Sequence, residues 1–249
     1  MVEHGLGPTP PRLLDRRGEA RRSGAGHGSD QPTEATGFRP AEGIYHYRGE
    51  GTERLDKPPT NQTQGPDIPG TVTHLDGRCW RLRVDYNTNH WQSWDYCSTG
   101  TGLTERAGAF FQRLDLVVAQ VETTSTYTCD PPVDAIRTAQ RAGDRWRHEC
   151  RGTSTGSDGV VISAGPYTFI GREELDIGGS RVTALHYHRL RTLTGGQTGT
   201  EDINVWFDAE TGLPLKNQRV ITVHSDSMIG GVTYDEEGSF RLASMSPTG

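Results

Sequence analysis

The sequence predicts an all-β protein: a single strongly curved antiparallel sheet of about 11 strands, forming a half-barrel or open barrel, with one short helix. Three observations carry this. Apolar and polar residues alternate with a period of two, as where Trp80, Leu82, Val84 and Tyr86 are set between Arg81, Arg83 and Asp85. The breaks between such runs are short and rich in Gly, Pro, Asn and Asp, so pairing of consecutive strands is the simplest topology. Four cysteines fall into two local pairs, Cys79 with Cys97 and Cys129 with Cys150, each bracketing adjacent predicted strands.

In chain order, residues 1–40 lack a hydrophobic pattern and are rich in Gly, Pro, Arg and acidic residues. Such a segment cannot offset its chain entropy by burial, so it reads as a disordered tail, and 41–249 as the folded domain. Residues 43–55 alternate and give a first strand, and 57–70 read as a Pro/Gly loop. Residues 80–86 and 90–97 are strands around a turn at Asn87–Asn89. Two long strands follow at 102–115 and 116–129, the second halted by Asp130-Pro131-Pro132. The short helix is placed at Ile136–Gly143, with the glycine as its C-cap. Further strands are expected at 144–151, 159–162, 168–177 and 181–194, with breaks at TSTGSDG, Gly165-Pro166 and Gly178-Gly179. The last hairpin turns at Asp208–Gly212, where Gly212 suits a left-handed turn position, and a final strand covers 231–245.

The net charge of −6 and the lack of a basic stripe outside the tail argue against a nucleic-acid partner. An even cysteine count favours disulfides and an oxidising compartment. Of three connectivities the local one, 79–97 with 129–150, would staple antiparallel neighbours; four reduced, buried thiols are the alternative. The spacings match no common zinc framework. No apolar leader follows Met1, so export or membrane tethering would require a leader outside this sequence, and a cytoplasmic location is the alternative.

The ending VWFDAETGLPLKNQRVITV, followed by GGVTYDEEGSFRLASMSP, resembles the terminal hairpin of exported bacterial proteins with the lipoprotein-carrier (LolA/LppX-like) half-barrel. Tyr127–Pro132, the later Cys150 and the Asp208–Pro214 turn are also similar to features of actinobacterial exported proteins. The resemblance implies an extracellular or cell-envelope β domain whose relatives carry lipid or present a surface.

Chemistry-bearing candidates are few. His186 and His188 share one face of a strand, a geometry usable by a metal, but no third ligand is marked out. STGSDG at 154–159 lacks the G-x-S-x-G elbow of a serine nucleophile. The acidic runs Glu173–Asp176 and Asp235–Glu237 read as exposed strand positions, and Asn61 opens a glycosylation sequon. No dinucleotide or P-loop fingerprint occurs, so no cofactor, metal or catalytic residue is assigned. The remaining candidate is the aromatic face of Trp80, Leu82, Val84, Tyr86, Trp91 and Trp94, which reads as ordinary core if side chains fill the interior, or as the lining of a cavity for a lipid or other apolar small molecule if the sheet curls around an unfilled one. The expectation is a non-enzymatic domain that binds such a ligand in its concave face, or a structural or interaction domain without a pocket. A hydrolase or metal-dependent enzyme is the third class.

Overall fold

A computed structural model describes residues 37–115, 120–227 and 230–248. Thirteen strands account for most of them. The first three are β1 (Gly43–Asp56), β2 (Pro59–Gln64) and β3 (Asp67–His74). β4 (Cys79–Asn87), β5 (His90–Thr99), β6 (Gly102–Asp115), β7 (Gln120–Arg137) and β8 (Arg145–Ser154) follow. β9 (Ser157–Ile177), β10 (Ser180–Gly195), β11 (Gln197–Asp208), β12 (Pro214–Ser227) and β13 (Gly230–Leu242) complete the sheet. Neighbours in sequence pair antiparallel from β3 to β13, and β1 pairs with both β3 and β13, so twelve strands close a barrel. β2 pairs with the distal half of β1 and lies in line with β3, from which Gly65-Pro66 separates it.

This overturns the open half-barrel expected from the sequence. The nine register pairs from Tyr47↔Leu242 to Leu55↔Tyr234 remove both free edges. The helix expected at Ile136–Gly143 is also absent. Ile136 sits in β7 opposite Leu103, fully buried, and Gly143 takes φ +92° in the following turn. A stretch of this length has too little local propensity to outweigh wall pairing. Asp130-Pro131-Pro132 does not end its strand: register jumps from Ala107↔Thr128 to Glu105↔Val133, so the segment bulges out and pairing resumes. Gly165-Pro166 likewise lies inside β9, where a side chain at Gly165 would meet the Leu190 carbonyl of β10 at 2.0 Å. The loop expected at 57–70 contains β2 and the start of β3.

Inward positions hold the core. Tyr47, Trp80, Leu82, Val84, Tyr187 and Leu215 are fully buried, with Phe207, Phe169 and Phe240 beside them. Each such side chain contributes about 2–3 kcal/mol by leaving water. Outward positions on the same strands carry Arg48, Arg54, Arg81, Glu50 and Glu237, all exposed. The expected tail, 1–40, lies outside the described residues except for its last four. There Phe38 packs on the core and its carbonyl accepts the Trp80 Nε1–H at 3.0 Å.

Both disulfides follow the local connectivity, 79–97 and 129–150. Cys79 and Cys97 are direct register partners on the β4–β5 hairpin. Cys129 and Cys150 join β7 to β8 just past the end of their paired ladder. Two disulfides are consistent with an extracellular or envelope location.

Candidate functional site

The barrel interior is not uniformly apolar. Two clusters of charged side chains lie inside it, each built by strand phase. The first sits at the β1–β13 closure, where Glu53 and Glu236 are register partners on the inner face. Two acids placed opposite each other repel, and the surrounding residues offset this. The Gln64 Nε2 group donates to Glu53 at 2.8 Å and to Glu236 at 2.9 Å. Gln112 donates to Glu53 at 2.7 Å, and the Arg219 Nε–H to Glu236 at 2.5 Å. His90 Nδ1 lies 2.7 Å from Glu53 Oε1 and acts as the donor. Its Nε2 has no hydrogen-bond partner among the described residues. Arg219 also donates to Gln64 and stacks over Tyr86 at 4.0 Å. Gly51 and Gly238, register partners next to the two acids, make the room. A methyl at either would fall within 2.5–2.7 Å of Gln64 Oε1. Burial alone would raise the Glu236 carboxyl, but the charges of Arg219 and His90 and the hydrogen bonds from Gln64 and Arg219 together outweigh it and hold the group down at about 2. Glu53 is also lowered: burial opposes ionisation, and the hydrogen bond and charge of His90 prevail.

The second cluster lies where β7 meets β8. Glu105 accepts the Tyr127 hydroxyl at 2.9 Å, with Arg189 Nη1 at 3.4 Å and Arg191 Nη2 at 3.6 Å. Arg191 also donates to His148 Nδ1 at 2.9 Å. An arginine can only donate, so Nδ1 is an acceptor and the proton sits on Nε2, which donates to the Asp134 carbonyl at 2.6 Å. The ring stacks flat on Tyr167 with centroids 4.2 Å apart. Burial first, and the neighbouring Arg191 charge second, push the imidazole down to about 3, so it is neutral at ordinary pH. Glu105 is lowered because Arg191 and Arg189 outweigh the effect of burial.

Between the clusters is a chamber of about 30 Å³, lined among others by Leu82, Trp94, Tyr96, Glu105, Tyr167, Arg189 and Asn217. That is room for about two water molecules. Of the aromatic face singled out in the sequence, Trp80, Leu82, Val84, Tyr86 and Trp94 are buried inside the barrel. Trp91 is one residue out of phase with Trp94's neighbours. It stacks on Phe111 at 5.8 Å with Arg83 4.2 Å above it, on the opposite face.

His186 and His188 do share one face, but each has its own partner. His186 lies between Glu173 Oε1 at 2.7 Å and Asn204 Oδ1 at 2.9 Å, stacked on Trp206; His188 lies 2.8 Å from Asp202. The Ser154 hydroxyl accepts the Gly156 amide proton, which is turn chemistry. Asp235 and Glu237 are exposed as expected, whereas Glu236 between them is buried. Among the described residues the one group with three clustered donor atoms is Glu105 with Cys129 and Cys150, within 4.8 Å of one another, and both sulfurs are spent in the disulfide.

No family model matches the chain, and no curated protein matches it. The crystal structure of the hypothetical lipoprotein YmcC from Escherichia coli (K12) aligns with 77% of this chain and 86% of its own. The identity is 14% and the TM-score 0.35, a likeness that fixes neither fold nor function.

Proposed function

We propose that this chain is a non-enzymatic β-barrel domain of the cell envelope or extracellular space that acts through its outer surface and its hairpin end. On this reading the interior serves to hold the barrel. The observation that carries this reading is how the interior is filled. Its chamber of about 30 Å³ is an order of magnitude below the roughly 300–1,000 Å³ of a small-molecule pocket. The aromatic face that could line a lipid site is packed as core instead. His148, Glu53 and Glu236 agree with this reading, since His148 has both nitrogens engaged and the two acids are committed to fixed neighbours. At the hairpin end a polar cleft of about 300 Å³, lined by Asp56, Lys57, Gln197, His224 and Asp226 among others, offers a surface for a polar partner.

The deciding experiment is native mass spectrometry of the protein purified from its own host. The expected result is the mass of the bare polypeptide with two disulfides. A stoichiometric adduct of lipid mass would overturn the proposal and restore the interior as a ligand site.

A further inference from the structure

The barrel wall is unevenly made. β9 and β10 share fourteen register pairs, from Ser180↔Ile177 to Gly195↔Val161. β7 and β8 share four, Ser125–Thr128 against Arg151–Ser154. Beyond Thr128 the two strands continue, β7 to Arg137 and β8 back to Arg145, without a main-chain ladder between them. Side chains bridge that stretch instead. The Asp134 carbonyl of β7 accepts the indole Nε1–H of Trp146 at 2.8 Å as well as His148 Nε2–H at 2.6 Å. Arg137 covers the Trp146 ring at 4.2 Å. The only covalent tie is Cys129–Cys150, with Glu105 within 4.8 Å of both sulfurs and Arg189, Arg191, His148 and Tyr127 grouped around that carboxylate.

We propose that Cys129–Cys150 is a redox-operated latch on a side opening of the barrel, between residues 133–137 of β7 and 145–150 of β8. Reduction by a dithiol proceeds by attack of its thiolate on one sulfur, giving a mixed disulfide that its second thiol resolves. Two cysteine thiols form, the dithiol becomes a disulfide, and two electrons and two protons pass to the protein. Three hydrogen-bonding or stacking contacts then remain along the unladdered stretch. Water can reach a cluster whose charged members gain solvation on exposure, so the opening is favoured by the groups behind it. Cys79–Cys97 works differently. It lies across strands paired along their whole length, with Trp80↔Tyr96 and Leu82↔Trp94 next to it, so the ladder holds without the bond. Cys129 and Cys150 are 4% and 2% exposed. The reductant therefore reaches them when the bulge at Asp130–Pro132, itself exposed, moves outward.

The test is hydrogen exchange on the full chain, oxidised and after dithiothreitol treatment, with alkylation and peptide mapping to identify which bond is open. With Cys129–Cys150 reduced, amides in 133–137 and 145–150 should exchange at least ~10-fold faster while β10–β13 change less than ~2-fold, the pattern of a sub-global opening. The Cys79→Ser/Cys97→Ser variant isolates the second bond. Should that variant not fold, the singly reduced wild-type species, separated after alkylation, gives the same reading. Unchanged exchange at the seam, uniform loss of protection throughout the barrel, or a Cys129–Cys150 bond that no dithiol opens in the folded protein would each overturn the proposal.

Discussion

The two buried clusters use the same residue types in opposite balance. At the closure, two carboxylates face one guanidinium, and the histidine bonds to an acid. At the β7–β8 seam, two guanidinium groups face one carboxylate, and the histidine bonds to a base. The closure contacts are short and several amides share the load. The seam contacts to Glu105 from the arginines are 3.4 and 3.6 Å. A polar cluster on a continuous ladder can be tight because the backbone fixes every participant. One at a break in the ladder inherits the looseness of the break.

The difference is sharpest for the acids. Glu105→Gln would leave Arg189 and Arg191 buried with no formal counter-charge in contact. Removing one member of a buried ion cluster costs about 3–5 kcal/mol, so this variant should show the largest fall in denaturant midpoint. Glu53→Gln keeps Glu236 beside Arg219 and retains amide neighbours, and should cost about half as much or less. Urea titrations of both variants measure this. Equal losses would show that the two clusters are not distinct in kind.

Acid separates the clusters next. His148 has a folded value near 3 against an ordinary 6.5. The unfolded chain therefore binds a proton that the folded one refuses between those limits. Its stabilisation is complete above pH 6.5 and is lost as pH falls towards 3. Glu236, at about 2 against 4.5, contributes stability that is complete above pH 4.5 and is lost only below it. The seam should therefore weaken first, by about 2 kcal/mol at pH 5. Denaturant midpoints from pH 7.5 to 5 should fall for the wild type and stay level for His148→Phe. A variant as acid-sensitive as the wild type would remove His148 as the cause.

Much of the architecture was legible because strand phase writes itself into sequence. The alternation at Trp80–Tyr86 and the turns at Gly178-Gly179 and Gly212 correspond to β4 and to the hairpins that follow β9 and β11. Proline misled where a strand bulges, at Asp130-Pro131-Pro132, and where a strand runs on without a register shift, at Gly165-Pro166. Closure was not legible, since the residues that meet across β1 and β13 lie nearly 200 positions apart and carry no mutual mark. The charged interior was partly legible. Arg189 and Arg191 fall on the inward phase with Tyr187 and Leu193, and Glu236 with Phe240. A charged residue in apolar phase is the signal that would have found them. Which acid meets which base depends on strand neighbours, which local pattern does not specify.

The smallest effect compares two tyrosines that perform the same task. Tyr127 donates to Glu105 at 2.9 Å, and Tyr234 to Glu236 at 3.0 Å. Burial raises both phenols well above their ordinary range, so each remains a donor at working pH. For Glu105 the tyrosine is its shortest contact, the arginines standing further off. Glu236 keeps Arg219 at 2.5 Å and Gln64 at 2.9 Å without it. Tyr127→Phe should therefore cost about 2 kcal/mol, within the range for a hydrogen bond to a charged group, and Tyr234→Phe about 1 kcal/mol or less. The ordering is read from thermal midpoints of the two variants at pH 7. A larger loss for Tyr234→Phe would mean that the short contacts at the closure depend on one another, so that no single donor there is redundant.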